Sequence, residues 1–469
     1  MTTARRLVTA DWVLPVASPP IAQGAVLLEG ARIAWVGPAA HAPVAPATVE
    51  TTALGAAILT PGLVNAHTHL ELTALRGFLE GLPFDTWLRT LTVVRRDLLT
   101  TDDLLDSCRL GIAEGLAHGI TTYADTTDSG LPLVAMRELG VRGIGYLEVF
   151  GPDPSQAQDA VAALAARART AREADTPRVR TGLSPHAPYT VSAPLFREVA
   201  ELARRERYPL AVHIAESAAE SAFVAEGRGR FAEGLAARGI AVAPQARSPI
   251  ALLEQCGVLA AQPLLIHAIR ADDDDLARVA AHGATIVHCP ISNAKLGHGV
   301  APLDRFLAHG VATGLGSDSV ASNDRMHLLE EARQAVLAHA VRSGQPDSLT
   351  AHEALRLATA GGAQALRLAD GLGTLTPGAP ADLAAFALSS PHGAAANDAV
   401  SSFAAIGAVY DPAVTLVHVL AGAARAIWVA VDGEVRVAGG RVLDADPAWH
   451  QRLGKVATRL RQWRAAPPS

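Results

Sequence analysis

Two histidines one residue apart, His67 and His69, close an apolar run in PGLVNAHTHLELTALRG, residues 61–77. On a strand, positions i and i+2 face the same side, so both imidazoles aim at one point, as a metal site requires. Later apolar runs end on similar chemistry. His186 closes one in SPHAPYT, and His213 closes YPLAVHIAES, with Glu216 three residues on. His267 ends PLLIHAIR, His288 sits in ATIVHCPISN, and Asp318 ends VATGLGSDS. A random scatter of 17 histidines would not end so many apolar runs. Three imidazoles and a carboxylate, His67, His69, His213 and Asp318, form a donor set suited to zinc or another borderline divalent ion with a place left for water. Such an ion acidifies bound water toward neutrality. Glu216 is not needed as a ligand and is placed to move a proton between that water and a substrate nitrogen. His267 is placed to orient the attacking oxygen.

These residues need a scaffold that brings many strand ends together. Residues 59–368 alternate β-like runs with helical stretches such as LFREVAELARRE. The candidate strands are 61–66, 120–125, 142–149, 179–184, 209–214, 263–267, 284–288 and 312–316. Eight strands with helices between them spell an α/β parallel barrel, and such barrels carry their chemistry at the carboxyl ends of the strands. Residues 1–58 and 369–469 are instead rich in short β-like pieces, including RAIWVAVDGEVRVAGGRVL with its VDGEV turn. They are expected to form one small β-sandwich domain built from both termini, with a helix at the end.

Bulk properties narrow the class. Across 469 residues the net charge is −6, with 18% charged and 49% apolar residues, so no basic field for nucleic acid is present. No run approaches the roughly 20 apolar residues of a membrane span. The opening MTTARRLVTADWVLP lacks a secretory signal, and three scattered cysteines offer no disulfide framework. A cytoplasmic location and a small-molecule substrate are expected, and self-association into a homo-oligomer stays open.

Taken in order, PGLVNAHTHLELTALRG, HIAES, LLIHA, HCPISNAKLGHGVAP and LGSDSVASND resemble the amidohydrolase superfamily. Within it the chain is similar to the aminohydrolase branch that deaminates purines, pterins and aminated nucleosides or dechlorinates triazines. The resemblance implies a distorted (β/α)8 barrel, one divalent ion per chain (zinc first, iron(II) second), and the roles given above. It also implies that Asp318 serves twice, beside the metal and as the base taking a proton from water. Two-metal members usually bridge their ions with a carboxylated lysine at the end of the fourth strand. Here the first lysine is Lys295, and His186 stands in that neighbourhood.

The same resemblance bears on the substrate. His186 matches a histidine that contacts the heterocycle in nucleoside-type deaminases. Deaminases of methylthioadenosine and S-adenosylhomocysteine carry a ribose-binding acid in the helix after H-x-H, and an ungapped count from His69 puts Arg96 there. A guanidinium cannot accept from ribose hydroxyls but pairs with a carboxylate. HTHLELTAL, FDTWL, RRDL, YLEVFG and the SPIALLEQCGVL insertion are closer to aminodeoxyfutalosine deaminases of menaquinone synthesis. The expected reaction is therefore aminodeoxyfutalosine to futalosine and ammonia. Deamination of methylthioadenosine or S-adenosylhomocysteine, or another aminohydrolase or chlorohydrolase activity, is the alternative. A non-catalytic scaffold of this fold would be expected to lack ligands that are all present here. Glu71, Trp87 and Glu148 are further pocket candidates. Asp272–Asp275 reads as a helix start, Asp125 as a loop-ordering group, and Lys295 as either structural or substrate-facing.

Overall fold

The computed structural model describes residues 4–45, 48–368, 370–388 and 410–465. The first strands are β1 (Arg5–Val13), β2 (Ile21–Glu29), β3 (Arg32–Pro38), β4 (Glu50–Ala53) and β5 (Ala57–Pro61). Eight more follow: β6 (Leu63–Thr68), β7 (Ile120–Thr127), β8 (Arg142–Val149), β9 (Val179–Pro185), β10 (Ala211–Ile214), β11 (Leu264–His267), β12 (Thr285–His288) and β13 (Thr313–Leu315). The chain closes with β14 (Leu383–Ala387), β15 (Ala426–Val431), β16 (Glu434–Ala438) and β17 (Arg441–Val442).

Strands β6 to β13 form the barrel. They run parallel in two four-stranded sets, β6–β9 and β10–β13. Single parallel bridges, Leu183 to Leu210 and Thr68 to Asp318, join the sets at both seams. These thin seams are the distortion. Almost every residue of β6, β7, β8 and β9 is buried, as expected when helices cover one face and the barrel interior fills the other. Val64, Ala66, Ile144, Tyr146, Ile266 and Val287 pack with Leu366 and Leu372 into one interior cluster. Polar chemistry is left to the carboxyl ends.

The terminal strands join in one sheet, in the order β17-β16-β15-β14-β5-β1-β2-β3, with β4 beside β1. The β15–β16 hairpin turns at Asp432 and Gly433, with φ of 48° and 76°, the left-handed pair that the VDGEV sequence predicts. Ile58, Ala384, Phe386 and Val429 of this sheet belong to the same apolar cluster as the barrel's outer layer. Gly119 (φ 82°), just before β7, lies in this contact, since a Cβ there would stand 2.5 Å from Phe386 Cζ.

An ionic bridge also ties sheet to barrel. Arg142, at the start of β8, donates through Nε to Asp382 Oδ2 (2.9 Å) and through Nη2 to Asp432 Oδ1 (2.6 Å). Arg178 donates through Nε to Asp432 Oδ2 at 2.6 Å. Asp382 is 1% exposed and Arg142 11%, so removing one partner strands a buried charge. Asp382→Ala should therefore cost about 3 kcal/mol or more in urea unfolding. A loss under about 1 kcal/mol would show that the bridge contributes little.

After β6 the chain builds one wall over the barrel mouth. It comprises a short 3-10 segment (Leu70–Leu75) and the helix Phe84–Leu98, with the helix Thr101–Ala117 packed behind the 3-10 segment. The C-terminal helix Pro447–Ala465 packs on this wall through Leu453, Val456 and Leu460, and Arg452 Nη2 donates to Asp106 Oδ1 at 2.9 Å. Among the described residues, no helix is long and apolar enough to cross a membrane.

Candidate active site

The four expected ligands meet at the barrel mouth. His67 lies in β6 and His69 two residues on, His213 lies in β10, and Asp318 follows β13. Asp318 Oδ1 stands 3.2 Å from His67 Nε2 and 3.6 Å from His69 Nε2. His69 and His213 bring their Nε2 atoms within 3.3 Å, rings stacked at 13°. Asp318 adopts a left-handed backbone (φ 57°), and its N–H donates to the His67 carbonyl at 2.9 Å. Ser292 Oγ and the Ser319 N–H donate to its two oxygens at 2.5 and 2.7 Å. A strained backbone held this firmly suits a residue whose placement matters.

Electrostatics prepare these groups for a cation. Burial lowers the pKa of His69 to about 3, helped by His67, and holds His67 and His213 below the ordinary histidine value. Burial opposes ionisation of Asp318, yet His67, His267 and His69 pull its pKa well below the usual range. Neutral imidazoles with converging lone pairs, a carboxylate, and a buried His67 Nε2 without a hydrogen-bond partner fit a divalent ion. His67, His69, His213 and Asp318 are the residues that would hold it.

Beside them lies the proton machinery. The backbone N–H groups of Ala215 and Glu216 donate to the buried Glu220 carboxylate at 2.8 and 2.9 Å, which fixes the bend after β10. Glu216 Oε1 then stands 3.6 Å from His267 Nε2 and 3.4 Å from His298 Nε2. Burial pushes the Glu216 carboxyl up, but His267 and His298 bring it net below its ordinary value. His267 Nδ1 donates to Asn293 Oδ1 at 3.0 Å, so in the neutral ring Nε2 carries the lone pair.

A pocket of about 580 Å³ opens from this centre. His186 faces it, with Nδ1 on Thr190 Oγ1 at 2.7 Å and its ring 4.9 Å from His213. Glu148 is buried with Oε1 unpartnered, and burial, with Glu71 nearby, raises its pKa to about 8. Trp87 lines the wall and stacks on Phe84. Glu71 lines the pocket but is fully engaged, accepting from Arg95 Nη2 (2.7 Å), Thr127 Oγ1 (2.7 Å) and Ser129.

Arg96 lines the pocket only at its outer rim, where its side chain is 70% exposed and pairs with Asp97. The helix turns Arg95 inward instead, onto Glu71 and Asp128. Sequence reasoning also missed His298, Phe84, Phe150 and Arg238, all near or in the pocket. The remaining readings fall out simply. Asp272 caps the helix Asp273–His282, and Asp125 Oδ2 accepts from Thr68 Oγ1 and Leu70 N. Lys295 is tied to Glu80 and Asp324 at the surface, away from the pocket.

Comparison with known proteins matches this architecture. Residues 58–435 fit the amidohydrolase family. A 5-methylthioadenosine/S-adenosylhomocysteine deaminase of Desulforudis audaxviator is 33% identical over 443 residues, covering 94% of this chain and 95% of that protein. The zinc-bound structure of an adenosine deaminase from Xanthomonas campestris superposes with a TM-score of 0.83 at 26% identity, covering 98% and 99% of the two chains. Helicobacter pylori aminofutalosine deaminase superposes at 0.77 with 19% identity, covering 92% and 99%, a likeness of fold alone. The chain belongs to the amidohydrolase family and is a hydrolase acting on carbon–nitrogen bonds.

Proposed function

We propose that the chain removes the 6-amino group of an adenine-type nucleoside that carries an extended, acidic 5′ substituent. One observation carries this reading: a single pocket joins the metal-ligand set to Glu216 and His186, then runs past Phe150 and Trp87 to Arg96 and Arg238. The inner end suits an aminated heterocycle, and the outer end suits an aromatic or aliphatic arm bearing a carboxylate. The names of the near-full-length relatives support an adenosine-type substrate.

In this reading a zinc ion, when bound, acidifies the attacking water and stabilises its charge. His267 accepts a hydrogen bond from that water through Nε2 and so holds the oxygen toward the ring carbon bearing the amine. Glu216, ionised in the free site, takes the first proton of that water and delivers it to the adjacent ring nitrogen, so negative charge never accumulates on the ring. Once the carbon is attacked, Asp318 takes the second proton of that oxygen and passes it to the amine, which can then leave as ammonia. His186 and Glu148 position the ring edge. Ammonia leaves as the tetrahedral carbon collapses.

Within this class aminodeoxyfutalosine is the finer choice. Its benzoate suits the aromatic faces of Phe84, Trp87 and Phe150, with a guanidinium beyond them. S-adenosylhomocysteine and methylthioadenosine form the second reading, favoured by the relatives' names. The test compares kcat/KM for aminodeoxyfutalosine, S-adenosylhomocysteine, methylthioadenosine, adenosine and guanine. Aminodeoxyfutalosine should lead methylthioadenosine by about tenfold, because a remote carboxylate adds positioning energy. A tenfold lead for methylthioadenosine or S-adenosylhomocysteine would transfer the assignment to the second reading. Arg238→Ala should lower kcat/KM by about threefold to tenfold for acid-tailed nucleosides and leave adenosine unchanged.

A further inference from the structure

We infer that His298 is a positioning residue that holds the Glu216 carboxylate for proton transfer and ties its placement to the helix walling the pocket. The inference rests on the proposed role of Glu216 as proton carrier.

His298 sits in the loop Gly297–His298–Gly299, whose glycines have φ of 73° and 97°. Open space surrounds both glycines, so it is backbone conformation that asks for them. This bend turns His298 inward, and its backbone N–H donates to the Asn293 carbonyl at 2.9 Å. The side chain is only 6% exposed, and Nε2 is buried with no formed hydrogen bond. Its near neighbour is Glu216 Oε1 at 3.4 Å. Leaving such a nitrogen unsatisfied is costly, whereas a shift of a few tenths of an ångström forms a charge-assisted bond. Hydrogen bonds in a catalytic site commonly tighten when substrate binds.

The second imidazole at Oε1 cannot do this work. His267 is tied through Nδ1 to Asn293 Oδ1, stands farther from Oε1 at 3.6 Å, and in the proposed reaction gives Nε2 to the attacking oxygen. His298 is therefore the donor assigned to Oε1. Oε2, with no partner among the described residues, remains free to carry the proton. On its other side the His298 ring meets Phe84 edge-to-face, at 4.6 Å and 88°. Phe84 is the first residue of the helix Phe84–Leu98, which also carries Trp87 and Arg95. Seating of that helix on a substrate arm is thus transmitted to the proton carrier through one ring.

The test uses the metal-loaded enzyme with S-adenosylhomocysteine and methylthioadenosine as substrates, and reads kcat, KM, metal content and melting temperature. His298→Ala should lower kcat by about 10- to 100-fold, with KM within about threefold and one metal ion retained. His298→Gln, which keeps a donor, should recover most of that loss. The decisive measurement is the double variant. If His298 acts through Glu216, adding His298→Ala to Glu216→Gln should lower kcat no further. Multiplying losses, or a kcat for His298→Ala within twofold of the parent, would overturn the inference. Near-normal turnover of Glu216→Gln alone would instead remove the proton-carrier reading on which it stands. If His298→Ala does not fold, His298→Gln and His298→Phe carry the same comparison, a donor against an aromatic ring without one.

Discussion

Replacing Glu216 by glutamine should lower kcat by about 10²- to 10⁴-fold while metal content and melting temperature stay near those of the parent. The amide keeps the shape and a carbonyl acceptor but cannot carry a proton from water to a ring nitrogen. Its Oε1 faces His267 at 3.6 Å and His298 at 3.4 Å, a placement that suits proton transfer beside the candidate metal ligands. Glu216 and Asp318 both have pKa values below the ordinary carboxylate range, so both are ionised in the free site at neutral pH. The proton given to the ring must then be the one water releases. The sign of the pH dependence follows from the same depression. A lowered pKa keeps Glu216 ionised down to acid pH, so the acid limb of kcat/KM should lie below the ordinary glutamate range. Activity should fall as pH drops through that limb. Steady-state kinetics on Glu216→Gln and Glu216→Asp, with elemental analysis of each, checks the assignment. Turnover within tenfold of the parent would remove Glu216 as the proton carrier.

The sequence reveals some of these features better than others, for geometric reasons. The strands were legible because barrel strands are buried on both sides and read as unbroken apolar runs, from Leu63–Thr68 to Thr313–Leu315. His67 and His69 were legible because a two-residue period is unambiguous on a strand. The helical wall was harder. Trp87 and Arg96 are both expected to face the pocket and both line it, but nine residues at 100° each set them on opposite sides of one helix, so Trp87 is buried in the wall and Arg96 reaches only the exposed rim. Val94 and Arg95 lie nearer the face of Trp87, and the structure buries Val94 while turning Arg95 onto Glu71. Counting along the chain finds the right helix, and its rotation separates the inward positions from the rim. His298 had no periodicity to betray it. Its signal was a lone histidine between two glycines just after a strand-end motif, which becomes meaningful once the loop is seen to fold back over Glu216.

The purified protein should hold one divalent ion per chain, and His213→Ala should hold almost none and be inactive. His213 supplies the third imidazole from β10, in the second set of strands, while His67 and His69 come from the carboxyl end of β6 in the first. Its loss leaves two imidazoles with the adjacent Asp318, whose backbone is bridged to Thr68, and no third imidazole for a four-ligand site. A second ion would have to use the neighbouring cluster of Glu148, His186 and His213. That cluster shares His213 with the first, and burial keeps Glu148 protonated up to about pH 8, so it offers a weak ligand at neutral pH. No lysine precedes Lys295 to supply a bridge. The imidazoles of the main site are already deprotonated, with His69 near 3. Metal uptake at pH 7 should therefore release almost no protons from the histidines, where an exposed three-histidine site with ordinary pKa values near 6.5 would release a measurable fraction. Calorimetric titration of the chelated protein with zinc, repeated in buffers of different ionisation enthalpy, measures that release directly. Two tightly held ions per chain, or full metal retention by His213→Ala, would overturn the single-ion assignment.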